Sequence, residues 1–259
     1  MDQVYGICKV SVAPLRSEPS DKAENASQLL FGEYVEVLEK SERWWHVQAK
    51  YDGYEGWMDF KQLAIISAEQ FENGQLSKYL VPPSPLNILT DENGGNYYLS
   101  PGSNLPGLKD SSCYIDQQQF DLQFQPAEFV FNGIEKLIKD ALFFQNTPYL
   151  WGGRSFFGID CSGFVQTVYK LNGIKLRRDA WQQAEEGTTV DFLQEVQPGD
   201  VAFFDNDEGR ITHVGIMLNT SEIIHASGKV KIDPIDGQGI YSAELARYTH
   251  KLRIIKRFV

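Results

Sequence analysis

Over residues 1–66, apolar and polar residues alternate in short runs broken by turn residues. "GICKVSVAPLRSEP" predicts a strand running into a Pro-bounded loop. "SQLLFGEYVEVLEKS" predicts a turn at Gly32 followed by the alternating run Tyr34-Val35-Glu36-Val37-Leu38. "RWWHVQAK" and "GYEGWMDFKQL" predict further strands about a turn near Asp52-Gly53. Strands spaced this closely point to a small barrel instead of βαβ units. Residues 67–125 are rich in Pro, Gly and Asn. Short strands are expected there at 86–89 and 97–99, and in "SSCYI" and "FDLQF". A second, degenerate barrel and a β-rich connector both fit that segment.

The period changes over residues 126–259. "EKLIKDALFFQ" predicts an amphipathic helix with Leu137, Ile138, Ala141 and Leu142 on one side, ended by Pro148. A Gly-rich loop, "PYLWGGRSFFGID", leads into a helix in which Phe164, Val165, Val168, Tyr169 and Leu171 recur at helical spacing before Gly173. "QPGDVAFFD", "ITHVGIMLN", "SEIIHAS" and "KLRIIKRFV" then read as strands. Helices followed by antiparallel strands make this an α+β domain.

Cys161 falls at the start of the second helix, with Asp160 as its N-cap. Unpaired N–H groups and the positive end of the helix dipole favour a thiolate there. Such surroundings lower a thiol pKa from about 8.5 to roughly 3.5–7.5. The Asp160 carboxylate works against this, so a nucleophilic Cys161 calls for an imidazolium partner.

Four histidines are available. His46 reads as a surface strand residue, and His250 has no evident partner. His213 and His225 lie on two strands that a three-residue loop, Leu218-Asn219-Thr220, joins into a hairpin, with Asn at the position tolerating positive φ. Pairing Met217 with Ser221 and Ile216 with Glu222 sets His213 opposite His225. Directly opposed residues share a face, with Cβ atoms about 4.5–5.5 Å apart. Two adjacent imidazoles suit a base and its orienter. Ordinary strand histidines fit the same spacing.

Composition narrows the field. A chain of 259 residues has room for two or three domains. Its net charge of −11 argues against nucleic acid as a partner. Cys8, Cys113 and Cys161 form no C-x-x-C pair or zinc pattern, and Cys8 and Cys113 read as small apolar fillers. No apolar run approaches the ~20 residues that span a bilayer, so no membrane insertion is expected. The start, "MDQVYGICKVSVAP", lacks a basic n-region before an apolar run, and a cytoplasmic location follows if Met1 is the natural start. A trimmed N-terminus would allow a periplasmic or secreted protein.

"PYLWGG", "DCSGFVQTVY", "QPGDVAFF", "THVGIML" and "IIHAS", in this order, closely resemble the NlpC/P60 cell-wall cysteine peptidases. The order "LR-x-x-P … LLFGE-x-V-x-V … WWHVQ … GYEGWM" resembles bacterial SH3-like domains. The resemblance implies a papain-like catalytic domain at 126–259, an SH3-like domain at 1–66, and either a second SH3-like domain or a connector at 67–125. It makes Cys161 the nucleophile, His213 the general base and His225 the orienting third residue. Tyr149 would line the cleft, Asp160 and Ser162 would help hold substrate, and Arg178 with Asp179 would lie near the site.

Similar architectures include γ-D-glutamyl-L-diamino acid endopeptidases acting on peptidoglycan stem peptides with a free N-terminal L-Ala. There an SH3-like tyrosine and the Asp before the nucleophile bind the terminal amine. Tyr54 is the candidate for that tyrosine, and Glu33 is a candidate second acid. The implied partner is thus a peptidoglycan-derived peptide, L-Ala-γ-D-Glu-diamino acid, and the implied setting is wall-peptide recycling. No metal or organic cofactor is implied. An amidase or acyltransferase using the same Cys–His pair, and a non-catalytic wall-binding protein, are the competing readings.

Overall fold

The computed structural model describes residues 3–74 and 78–259. Two compact units divide the chain, one of Met1–Val130 with Trp151–Phe156 and one of Phe131–Leu150 with Phe157–Val259.

The first unit holds strands β1 (Val4–Cys8), β2 (Val12–Arg16), β3 (Asn25–Leu30), β4 (Tyr34–Lys40), β5 (Trp44–Ala49), β6 (Glu55–Asp59) and β7 (Leu63–Ile66). They form an antiparallel sheet in the order β3-β2-β6-β5-β4-β1-β7. Every strand sends a side chain into one core built from Cys8, Ala13, Leu29, Val35, Val47, Met58 and Leu63. The first apolar stretch, expected to be one strand, divides into β1 and β2. Gly32 takes φ +76° in the β3–β4 turn.

Residues 67–125 add a capped helix, α1 (Ala68–Asn73), the short strand β8 (Tyr79–Leu80), and a sheet of β9 (Ile88–Asp91), β10 (Asn96–Tyr98), β11 (Ser112–Ile115) and β12 (Gln118–Leu122). The sheet runs β10-β9-β12-β11. β13 (Ala127–Glu128) pairs with β8. Leu89, Leu99, Cys113 and Phe120 from this segment share a core with Ile7, Phe31, Tyr34 and Ile66 from the preceding strands. The segment therefore packs with the preceding strands in the first unit, which runs to Val130 before the chain enters the second. Cys8 and Cys113 are fully buried within these cores.

β14 (Arg154–Ser155) belongs to the first unit. The second unit opens with α2 (Ile134–Phe143), followed by β15 (Gly158–Ile159), α3 (Cys161–Leu171) and α4 (Ala180–Gln183). Strands β16 (Thr188–Val190), β17 (Val201–Asp205), β18 (Ile211–Met217), β19 (Glu222–Ser227), β20 (Lys229–Asp236), β21 (Gly239–Ser242) and β22 (Arg247–Arg257) complete it. α2 buries Leu137 and Ala141 but leaves Leu142 exposed, because buried Asp140 occupies the same face and bonds to Lys136 and Asn172. The helix ends at Phe143, before Pro148 comes into play.

Strands β22-β17-β18-β19-β20-β21 pair in sequence, and β21 pairs back onto β22, closing a six-stranded barrel. Ala202, Phe204, Met217, Ile223, Ile235, Ile240 and Ile255 form its core. α3 is buried along its whole length and packs on β18 and β19. That burial anchors the helix, so its first residue is held against the barrel strand carrying His213.

Candidate active site

Asp160 accepts the Gly163 N–H at 2.7 Å, making Cys161 the first residue of α3. The backbone at Val214 and Ser162 acts on the thiol and favours its ionised form, which sets the sulfur beside β18 one residue from His213. The lowered thiol pKa expected from the helix dipole is not what results. Burial pushes Cys161 up to about 12 and Asp160 adds to the rise, against the smaller opposing effects of those backbone groups and the Arg178 charge. Burial likewise lowers His213 well below the usual histidine range, reinforced by His225, His250 and Lys231. Both shifts favour the neutral thiol and the neutral imidazole, so proton transfer to His213 is expected to accompany attack.

The two rings do meet, though not as directly opposed residues. β18 and β19 pair Gly215 with His225, Ile216 with Ile224 and Met217 with Ile223. This register is two residues away from the expected one. The connection also includes Ser221, and Leu218 bonds Glu222. Asn219 shapes the turn by accepting the Ser221 N–H on its side chain, at 2.8 Å, and not by adopting positive φ. A two-residue shift preserves the face, so His213 and His225 are diagonal neighbours, with His213 Nε2 and His225 Nδ1 2.8 Å apart.

Three further residues, Asp233, Lys231 and His250, lie near these rings. Asp233 on β20 lies 3.1 Å from His225 Nε2, and Lys231 reaches the same carboxylate oxygen at 3.0 Å. His250 on β22, expected to lack a partner, stacks on His213 with ring centroids 3.9 Å apart and planes inclined by 25°. Its Nδ1 meets Thr249 Oγ1 at 2.9 Å. Continuing the hairpin logic through the Gly228 turn would have led to Asp233. His250 arrives through barrel closure, which no local pattern reveals.

Beneath the nucleophile, Arg178 grips Asp160 through two bonds, Nη2–Oδ2 at 2.6 Å and Nη1–Oδ1 at 3.1 Å. Nη1 also donates to Ser162 Oγ at 2.9 Å. Arg178 thus places a cation on Asp160, the carboxylate expected to help hold a substrate amine. Asp160, Ser162 and Arg178 are all nearly inaccessible and form one ionic cluster. Asp179 is the N-cap of α4.

Tyr149 is half-buried, and burial, with Cys161 and Asp160 beside it, pushes its hydroxyl up to about 12. It lines a cleft of about 320 Å³ with Thr212, His213, His250 and residues 226–228. Glu33 and Tyr54 belong to the first unit. Tyr54 is half-buried against the core of that unit. Glu33, proposed from sequence as an acid for substrate, is 1% exposed and is engaged by Arg154 through both oxygens, at 2.8 and 3.0 Å.

Among the described residues, His213, His225 and His250 are the group whose ring nitrogens come close enough, within 4.8 Å, to suggest a metal. The facing nitrogens of His213 and His225 are 2.8 Å apart. Two imidazoles around one tetrahedral zinc stand about 3.3 Å apart. The observed spacing is that of a shared proton and suits a proton relay better than a cation.

The sequence pattern of the NlpC/P60 family matches residues 146–248, and that of the bacterial dipeptidyl-peptidase Sh3 domain matches 15–63. The chain is 32% identical over 217 residues to the gamma-D-glutamyl-L-lysine dipeptidyl-peptidase of Bacillus subtilis, covering 77% of this chain and 71% of that protein. It is 28% identical to dipeptidyl-peptidase 6 of Lysinibacillus sphaericus, covering 91% of this chain and 93% of that one. The crystal structure of an NlpC/P60 family protein from Bacillus cereus superposes with a TM-score of 0.80 over 98% of this chain and 99% of that chain, at 24% identity. No described helix is long and apolar enough to cross a membrane.

Proposed function

The chain belongs to the NlpC/P60 family, and from that premise we propose that it is a cysteine peptidase hydrolysing the γ-D-glutamyl-L-diamino acid bond of peptidoglycan stem peptides with a free N-terminal L-Ala. One observation carries the reading: His213, one residue from the Val214 backbone that acts on the Cys161 thiol, is joined at 2.8 Å to His225 of the neighbouring strand. As the thiol attacks the γ-carbonyl carbon of D-Glu, His213 takes its proton. The tetrahedral oxyanion meets the Cys161 amide at the N-terminus of α3. His213 then delivers the proton to the departing amine, leaving a thioester. Water, deprotonated by the same ring, releases the dipeptide.

Supporting the substrate class are the relatives named for γ-D-glutamyl-L-lysine cleavage and the accompanying Sh3 domain. The proposed setting is recycling of wall peptides in the cytoplasm, a reducing compartment in keeping with three unbridged cysteines. Incubation with L-Ala-γ-D-Glu-diaminopimelate tests the activity. Release of L-Ala-D-Glu that is lost in Cys161→Ala is the expected result. Binding without turnover would favour a wall-binding module, and neither binding nor turnover would favour an amidase or acyltransferase.

A further inference from the structure

A line of hydrogen bonds crosses three adjacent strands of the barrel. Pairing sets Gly215 of β18 opposite His225 of β19, and His225 opposite Lys231 of β20. His213 and Asp233 each stand two residues from that row, displaced in opposite directions. The three side chains therefore share one sheet face and lie on a diagonal. His213 Nε2 is 2.8 Å from His225 Nδ1, and His225 Nε2 is 3.1 Å from Asp233 Oδ2.

Donor and acceptor capacities fix where the protons sit. An ionised carboxylate only accepts, so His225 presents Nε2–H to Asp233. A neutral imidazole has one N–H, which leaves His225 Nδ1 as an acceptor. Its partner at 2.8 Å must then be the Nε2–H of His213. The remaining His213 nitrogen, Nδ1, keeps its lone pair, the form in which this ring can accept a proton. With the opposite tautomer of His225, the carboxylate would face a lone pair. The only neutral arrangement satisfying both contacts is the one that makes His213 a base at Nδ1.

Resting on the peptidase reading above, we propose that Asp233 is a positioning residue: acting through His225, it fixes the tautomer of His213 and stabilises the charge that His213 acquires during acyl transfer. In the attack, the S–H bond of Cys161 breaks, an N–H bond forms at His213 Nδ1, and the sulfur electron pair forms the C–S bond. The resulting imidazolium lies one hydrogen bond from His225 and two from the Asp233 anion. The same proton leaves Nδ1 for the diamino acid nitrogen as the C–N bond breaks. His225 and Asp233 end as they began. The competing account is that Asp233 serves only as the ion-pair partner of Lys231, 3.0 Å away.

Three variants in the full-length protein separate these accounts, using L-Ala-γ-D-Glu-diaminopimelate as substrate and circular dichroism to establish folding. Asp233→Asn keeps an accepting oxygen but removes the charge, and kcat is expected to fall about tenfold with KM unchanged. Asp233→Ala frees the tautomer, and kcat is expected to fall roughly 10²-fold, the lower end of what a placed base contributes. Lys231→Met removes the ion pair but keeps the carboxylate, and at pH 7.5, above the acid limb, kcat is expected to stay within about twofold of the parent. Histidine ring 15N chemical shifts supply a readout independent of turnover. The parent is expected to show His213 protonated at Nε2, with that preference lost in Asp233→Ala. An unchanged His213 tautomer in Asp233→Ala, or a Lys231→Met loss equal to that of Asp233→Ala, overturns the proposal. If Asp233→Ala does not fold, Asp233→Asn decides on kcat, parental activity overturning the proposal. If the parent itself leaves the peptide intact, the ring shifts still test the tautomer relay, and the failure belongs to the substrate reading.

Discussion

Gly215 stands directly opposite His225 across the β18–β19 pair, and the absence of a side chain there leaves room for the diagonal contact with His213. A Cβ at Gly215 would lie 2.8 Å from His225 Cβ and 2.8 Å from Ile223 Cδ1. His225 Cβ is fixed to the backbone and cannot yield as the tip of a flexible side chain can. Gly215→Ala is therefore expected to separate the imidazoles and lower kcat by at least about tenfold, with a smaller effect on KM. Steady-state kinetics beside a thermal melt checks this. Parental kcat in a folded Gly215→Ala protein would mean that the His213–His225 contact does not depend on this gap.

The ionic cluster under Cys161 yields a prediction about stability. Asp160 is 6% exposed and Arg178 1%, so removing either partner strands a buried charge. Arg178→Met is expected to cost about 3–5 kcal/mol in urea unfolding. Arg178 also opposes the upward push on the Cys161 thiol, so its loss should slow iodoacetamide alkylation at neutral pH. Arg178→Lys should rescue only in part, because an ammonium cannot reproduce the two-bonded fork. Adding Asp160→Asn to Arg178→Met should recover part of the loss, since no unpaired charge then remains.

Glu33 makes a parallel case in the first unit. Its carboxylate holds Arg154 and also accepts the Leu30 N–H at 3.0 Å, while Arg154 reaches the Gln28 carbonyl at 2.7 Å. Glu33→Gln is expected to destabilise the protein by about 3–5 kcal/mol, because the buried guanidinium loses the carboxylate bonded to both its terminal nitrogens. A raised KM with an unchanged urea midpoint would instead mark Glu33 as a ligand group.

The contrast between these residues shows what the chain discloses locally. The Cys161 helix was legible because an N-cap, a tight turn and apolar spacing occur within a dozen residues. The meeting of His213 and His225 was legible through parity alone: a register two residues off moves the partners along the strand but keeps the face. Loop length did not reveal that Asn219 works through its side chain. Arg178 was placed near the site, but its grip on Asp160 depends on burial, which spacing does not report. His250 was unreadable, because its stacking on His213 requires β22 to close against both β17 and β21. The apolar side of α2 was misplaced at Leu142 because buried Asp140, a charge paired with Lys136, takes a position that hydrophobic periodicity gives to a nonpolar residue.

Burial of the three histidines sets the response to acid. His213 is held well below the usual value and His225 below it, while His250 is lowered to about 4, in each case chiefly by burial. Lys231 pushes all three down, and Asp233 pulls His225 and His250 up. His213 therefore stays neutral and able to accept a proton below pH 6.5, and kcat/KM is expected to hold through that pH before falling at lower values. Lys231→Met should move this acid limb upward, because it removes a repelling cation. Stability follows from the same groups. The unfolded chain takes up protons near pH 6.5 while the folded protein resists them, so the stabilisation is complete above 6.5. It is lost as the pH falls from there toward the folded values, by up to about 1.4 kcal/mol per pH unit for each histidine. Urea midpoints at pH 7.5, 6 and 5 should decrease in that order. A midpoint that rises on acidification would require at least one of these rings to be charged in the folded state, and a charged His213 could not take the proton of Cys161.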